Sequence, residues 1–234
     1  MDRPIIFSAP MVKALLDGRK TQTRRIVSPR NTRFDGGSWP KGRFEHCKWD
    51  GAWVDAGPSP AGNPGPYLKV EYPYQDDETL VSRVYPMMQP GDRLYVREAC
   101  CWVSAWGWRY KADNDDLTEQ REDGRVSRWR SPIHMPRLAS RLTLSVTDVQ
   151  VQRLQDISEA DAIAEGCLMD PEPDEHGGHM PAEIAHERGG DIGWDCARDW
   201  YADLWNSLHG PDAWDANPWV VAVSFDVIRG NIDA

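Results

Sequence analysis

No stretch of this chain is apolar over the roughly 20 consecutive residues a membrane-spanning helix needs. The first residues also lack the basic-then-apolar pattern of a secretory signal. The five cysteines (Cys47, Cys100, Cys101, Cys167 and Cys196) are odd in number and include no CxxC pair, so no disulfide framework is expected. These absences lead to the expectation of reduced thiols in a cytoplasmic protein of bacterial or phage origin, with no membrane partner.

Positive charge is scarce too. Lys and Arg number 27 against 37 Asp and Glu, a net charge of −10. That balance argues against wrapping a long duplex, which takes many basic side chains on phosphates. No segment repeats, and no regular strand–helix alternation signals a parallel sheet. His176, His179 and His186 lie in a Gly-rich acidic stretch without a second cluster at ligand spacing, so neither metal nor cofactor is expected.

What is present is unevenly placed. Residues 1–33 hold eight Lys and Arg against two Asp, and residues 121–141 hold six Arg against Glu122 and Asp123. A basic cleft on an acidic body suits a nucleotide or a short single strand. Twelve tryptophans stand against four phenylalanines. The indole has a large apolar face and one N–H donor, which serves cores, interfaces and base-stacking sites alike.

Ile5-Ile6-Phe7 reads as a strand, with Ser8 as the cap of a helix carrying Pro10 in its first turn and Met11, Leu15 and Leu16 at helical spacing. Gly18 sits where a helix-ending glycine belongs, and the Thr-rich, β-branched stretch from Thr21 to Val27 predicts a strand. Eight prolines within residues 31–90 predict an ordered insertion of short strands and turns, without long ladders. Pro90-Gly91-Asp92 is a turn into a strand on which Leu94, Val96 and Glu98 share a face. Leu142, Leu144 and Val146 alternate as another strand. Ser158 caps a short helix that has Asp161 at the capping-box position and ends at Gly166. Residues 170–193 read as a loop. Ala197 to Leu208 is an amphipathic helix with Trp200, Leu204 and Leu208 as its stripe, and Trp219 to Val227 is the closing strand. The fold class is therefore α+β, a small twisted barrel with flanking helices.

Chemistry concentrates in Gly18-Arg19-Lys20-Thr21-Gln22-Thr23-Arg24-Arg25. A threonine hydroxyl becomes a nucleophile when a neighbouring base takes its proton, and a lysine serves as that base when burial lowers its pKa. Glu165 is placed to orient the lysine or protonate a leaving group, yet a nearby carboxylate also keeps a lysine charged. A plain salt bridge between Lys20 and Glu165 satisfies the same spacing. Arg137 and Arg141 flank Ser140, with pairing to Glu98 or contact to a phosphate as alternatives. Trp102, Trp106 and Trp108 alternate as on a sheet face, and core packing is favoured over base stacking.

Gly18-x-Lys20 with Arg25 resembles the signature of ASCH domains, a branch of the PUA-like barrels associated with RNA and modified bases. The likeness extends to Gly91-Asp92-x-Leu94-x-Val96, to Val146–Ile157 and to Val220–Phe225. It implies one domain over residues 1–234, with insertions at about 31–89, 105–130 and 168–195. The site is similar to that of the small N(4)-acetylcytidine amidohydrolases, whose Gly-x-Lys-Thr-x-Thr-x-Arg pattern matches Gly18, Lys20, Thr21, Thr23 and Arg25. The resemblance implies Thr23 as nucleophile, Lys20 as its base and Glu165 as supporting acid. Arg19, Thr21, Arg24, Arg25, Glu98 and Arg141 would then bind a modified nucleoside or a short single-stranded RNA. Arg24 stands where those enzymes carry an apolar residue. The alternatives are a non-catalytic module binding RNA or a modified base, and an ASCH-type ribonuclease.

Overall fold

The computed structural model describes residues 2–35, 37–59, 65–73, 78–104, 106–113, 128–170, 181, 184–185, 191–192 and 194–234. Strands, numbered in chain order, are β1 (Asp2–Ile6), β2 (Gln22–Ile26), β3 (Thr32–Phe34), β4 (Lys48–Asp55), β5 (Tyr67–Pro73), β6 (Thr79–Pro86) and β7 (Arg93–Arg97). They continue with β8 (Cys100–Val103), β9 (Gly107–Tyr110), β10 (Leu142–Arg153), β11 (Ile184–Ala185), β12 (Asp191–Ile192) and β13 (Trp219–Arg229). The helices are α1 (Ala9–Leu16), α2 (Glu159–Ala164) and α3 (Ala197–His209). The fold is mixed α+β and mostly sheet.

The central sheet has the order β1-β7-β10-β13-β2. Only β1 against β7 is parallel, and such a pair needs a long crossover, which here carries α1, β2 and the whole segment up to β7. The alternation at Leu142, Leu144 and Val146 forms the buried face of β10. A bulge between Val146 and Asp148 then shifts the phase, so that Val149 and Val151 continue the buried face at odd positions. Among the described residues β1 and β2, the ends of this order, do not pair, so the ladder stays open. The two edges still come close: Arg25 Nη2 on β2 donates to the Ile6 carbonyl of β1 (2.8 Å).

Residues 31–90 correct one expectation. They form a four-stranded antiparallel sheet, β3-β6-β5-β4, whose three long strands run seven or eight residues. Proline does not prevent this because Pro73 and Pro86 are the last residues of β5 and β6, where no further ladder bond is required. Phe34, Leu68, Val70 and Val84 join Ile5, Leu94 and Leu142 in one apolar cluster, so this sheet and the central sheet share a core. The segment is clasped at its ends by the Met87 amide donating to the Asn31 carbonyl (2.8 Å).

Ser158 caps α2 as its spacing predicts, accepting from the Asp161 amide (3.1 Å). Ser8 precedes α1 in extended backbone but its side chain makes no cap bond. The stripe on α3 is also corrected: Ala197, Tyr201 and Trp205 are buried, whereas Leu208 is 51% exposed. Apolar residues cover more than one face of α3, so periodicity alone selects the wrong one. Two of the three tryptophans of the β8–β9 hairpin differ from expectation as well, while Trp108 packs against Cys100, Met135 and Ala139. Trp102 and Trp106 are 45% and 52% exposed, because Cys100, Cys101 and Val103 take the inward positions. Among the described residues no helix is long and apolar enough to cross a membrane.

Candidate functional site

Gly18 ends α1 in the left-handed region (φ +75°), and the Arg19 and Lys20 amides both donate back to the Ala14 carbonyl (3.0 and 3.1 Å). The chain then passes the end of α2, where the Thr21 amide donates to the Ala164 carbonyl (2.9 Å) and Lys20 pairs with Glu165 as an isolated bridge. Gly166 permits this approach. It has φ +109°, and a Cβ there would meet the Ala14 Cβ at 3.1 Å and the Lys20 Cβ at 3.3 Å.

Lys20 is fully buried and Glu165 nearly so. Lys20 Nζ donates to Glu165 Oε2 (2.7 Å) and to the Glu165 carbonyl (2.8 Å). The other carboxylate oxygen, Oε1, receives Arg24 Nη1 (3.2 Å) and the Tyr201 hydroxyl (3.4 Å). Burying a charge costs several kcal/mol unless partners and hydrogen bonds replace its water, and this carboxylate collects both. Burial pushes the Lys20 ammonium below the usual lysine range, against the upward pull of Glu165. Burial, and then the Glu165 charge, push the Tyr201 phenol well above its usual range, so it stays a neutral donor.

Arg24 was expected to reach a substrate. Its side chain is instead directed inward, with Nη1 donating to Gln22 Oε1 and Glu165 and Nη2 paired with Asp161 (3.1 Å). Asp161 sits below the usual carboxylate range: burial opposes this, but hydrogen bonds from Ser158 and Gln22 and the Arg24 charge outweigh it. Arg24 therefore holds Glu165 in place rather than facing solvent.

The other predicted residues fall in three places. Arg19 caps the cluster, donating to the Gly166 carbonyl (2.6 Å) and to Asp17 (3.0 Å), while Thr21 is exposed. Thr23 is buried on β2 opposite Val223, and strand alternation directs it away from the face on which Gln22 and Arg24 meet Asp161 and Glu165. Among the described residues no hydrogen bond joins Thr23 to Lys20 or Glu165. Arg25 lies with its guanidinium carbon 5.3 Å from the Phe7 ring centre, and Lys20 Nζ lies 5.6 Å from the same ring. Glu98 and Arg141 form their own bidentate pair (2.8 and 3.1 Å), with Arg141 also on Asp113 and stacked on Tyr110. Arg137 is engaged by Asp2 and Asp233. Arg141 thus meets a carboxylate, the alternative to a phosphate contact.

Glu165 also lines a groove of about 560 Å³ between α1 and α3. Met11, Trp200, Leu204 and Leu208 form its apolar wall, with Arg19 beside Glu165 at the polar end. A mostly apolar groove with a few convergent polar groups is the usual form of a small-molecule site. Trp200 and Leu204 pack against the α3 core cluster as expected and line the groove as well, whereas Leu208 is exposed along it. Tyr201, Asp161 and Gly166 are the members that sequence reasoning missed as site residues. Tyr201 was hidden by its more apolar neighbours on α3, and Asp161 and Gly166 by their helix-capping and terminating roles. Among the described residues no group of three or more His, Cys, Asp or Glu side chains is arranged to hold a metal ion, and His176, His179 and His186 lie outside the described residues.

No protein-family model, no curated protein and no solved structure matches the chain.

Proposed function

We propose that the chain is an amide hydrolase of the ASCH type, a branch of the PUA-like barrels, that removes the acyl group from an N(4)-acylated cytosine nucleoside or a related amide. The observation that carries this reading is the fully buried Lys20 held 2.7 Å from Glu165, a residue that itself lines an apolar groove. The motif positions implied a catalytic lysine and glutamate, and burial shifts the Lys20 ammonium downward, the direction that favours a general base.

In the proposed reaction the Thr23 oxygen attacks the amide carbonyl carbon, and its proton passes to Lys20 Nζ. The C–N bond breaks, the cytosine nitrogen leaves with that proton, and water hydrolyses the acyl-threonine to free the acid. Glu165, steadied by Arg24 and Tyr201, orients the lysine. The step requires the Thr23 hydroxyl and Lys20 to come within hydrogen-bond reach once substrate is bound, as catalytic contacts often tighten only then.

The placement of Thr23 away from Glu165 favours a second reading, in which the same groove binds a modified base without chemistry. Incubation with N(4)-acetylcytidine and with single-stranded RNA, followed by mass analysis of products, separates the two. Acetate plus cytidine is expected, with Lys20→Ala, Thr23→Ala and Glu165→Ala each losing at least a hundredfold in rate on the scale of general base catalysis. Undiminished release by Thr23→Ala sinks the nucleophile assignment. Bound but unchanged substrate supports the second reading, and cut RNA indicates a ribonuclease.

A further inference from the structure

A second cleft, of about 470 Å³, opens where the edges of β1 and β2 approach without pairing. Arg3, Arg25, Arg30 and Asn31 are its polar lining residues, and Ile6 and Met87 belong to its apolar lining. Among the described residues none that lines it is acidic, although the chain as a whole carries −10. Arg25 donates to the Ile6 carbonyl, and among the described residues neither Arg25 nor Arg30 forms an ion pair. Arg24, Arg137 and Arg141 behave differently, each being matched to a carboxylate.

We infer that this cleft is a phosphate-binding site for a nucleotide or a short single-stranded oligonucleotide. Guanidinium groups present planar forks of N–H donors that match phosphate oxygens, and two without carboxylate partners leave such forks available. Arg25 is half-buried, and burial pulls its guanidinium below its usual range against the opposing charge of Glu165. Ile6, 44% exposed beside it, and Met87 offer apolar surface for the face of a base or sugar. Arg25 and Lys20 share the buried Phe7 ring, which links the wall of this cleft to the Lys20–Glu165 cluster through the core. The site stands without the hydrolase reading, because it concerns phosphate and not the acyl group.

The test is binding of a fluorescent uridine oligomer, followed by anisotropy over a range of salt concentrations. This probe contains no acylated cytosine, so its loss and the loss of hydrolysis are read separately. The Arg25→Gln/Arg30→Gln variant is expected to bind at least tenfold more weakly at low salt. Its plot of log affinity against log salt should be shallower by about 1.4, two phosphates at roughly 0.7 each for a single strand. Cytidine 5′-monophosphate and inorganic phosphate should compete with the oligomer, and cytidine should not. If only the oligomer competes with itself, the site takes a strand and not a single nucleotide. Arg30 is exposed, so Arg30→Glu keeps the fold and gives the deciding measurement should the double variant fail to fold. The inference is overturned if the wild type binds none of these probes at millimolar concentration, if cytidine competes as well as its monophosphate, or if Arg30→Glu binds like the wild type.

Discussion

Lys20 meets Glu165 twice, through the carboxylate and through the main-chain carbonyl of the same residue (2.7 and 2.8 Å). One contact is electrostatic and the other fixes the backbone at the end of α2, so the charge pair and the junction between α1 and α2 are one unit. The lysine cannot leave without loosening the turn.

Breaking that unit from either side should be costly. Lys20→Met and Glu165→Gln are each expected to lower the free energy of unfolding by about 3–5 kcal/mol, the scale for stranding one member of a buried pair. The double variant should lose less than the sum of the two, because neither charge is then left alone. Urea denaturation of the three variants measures this, and strict additivity would contradict the pairing.

The position of the Lys20 pKa has a signed consequence. Burial lowers it in the folded chain, so between that value and the ordinary lysine range the unfolded chain binds more protons. Stability attributable to Lys20 should therefore rise as pH rises through this window. Wild type and Lys20→Met should diverge with increasing pH when their denaturation curves are compared, the wild type gaining. If Lys20 is the base, the rate of amide hydrolysis should also climb on this limb.

Gly166→Ala places a methyl group against Ala14 and Lys20 at a backbone angle that L-residues rarely adopt. A loss of about 1–3 kcal/mol is expected from strain of this kind. Because the clash falls on Lys20 Cβ, the ammonium should shift relative to Glu165, and hydrolysis should fall by more than the lost stability explains. Measuring rate well below the variant's Tm separates the effects.

Glu98 makes a different prediction about acid. Burial raises its pKa, with Arg141 pulling the other way. Removing Arg141 leaves a buried carboxylate that prefers its proton, so Arg141→Ala should destabilise by about 2 kcal/mol at pH 7.5. The folded chain then holds a proton the unfolded one releases, and the penalty should shrink as pH falls toward 5. An Arg141→Ala penalty that stays constant or grows toward pH 5 would show that Glu98 is not raised.

Much of the framework was legible because its signals are local. Gly18 could only end α1, Ser158 could only begin α2, and the alternation from Leu142 to Val146 could only be a half-buried strand. Lys20 and Glu165 were readable as partners, since a buried lysine needs a carboxylate. Arg24 was not readable as the clamp on Glu165, because whether a strand arginine points inward depends on which neighbour crosses its face. The helix α3 carries Trp200, Tyr201, Leu204, Trp205 and Leu208, so two stripes compete and only tertiary packing chooses. The prolines of residues 31–90 argued against ladders by number, whereas the structure turns on their position at strand ends.

The clasp between Asn31 and Met87 closes the segment that carries the four-stranded sheet. Its two ends lie one hydrogen bond apart, so the segment departs and returns at nearly the same point of the chain path. Its side chains are nevertheless continuous with those of the central sheet, in one cluster that includes Leu94 and Leu142. Tethered at one backbone point, the sheet is held along a whole face by its side chains, so its local opening would expose the common core.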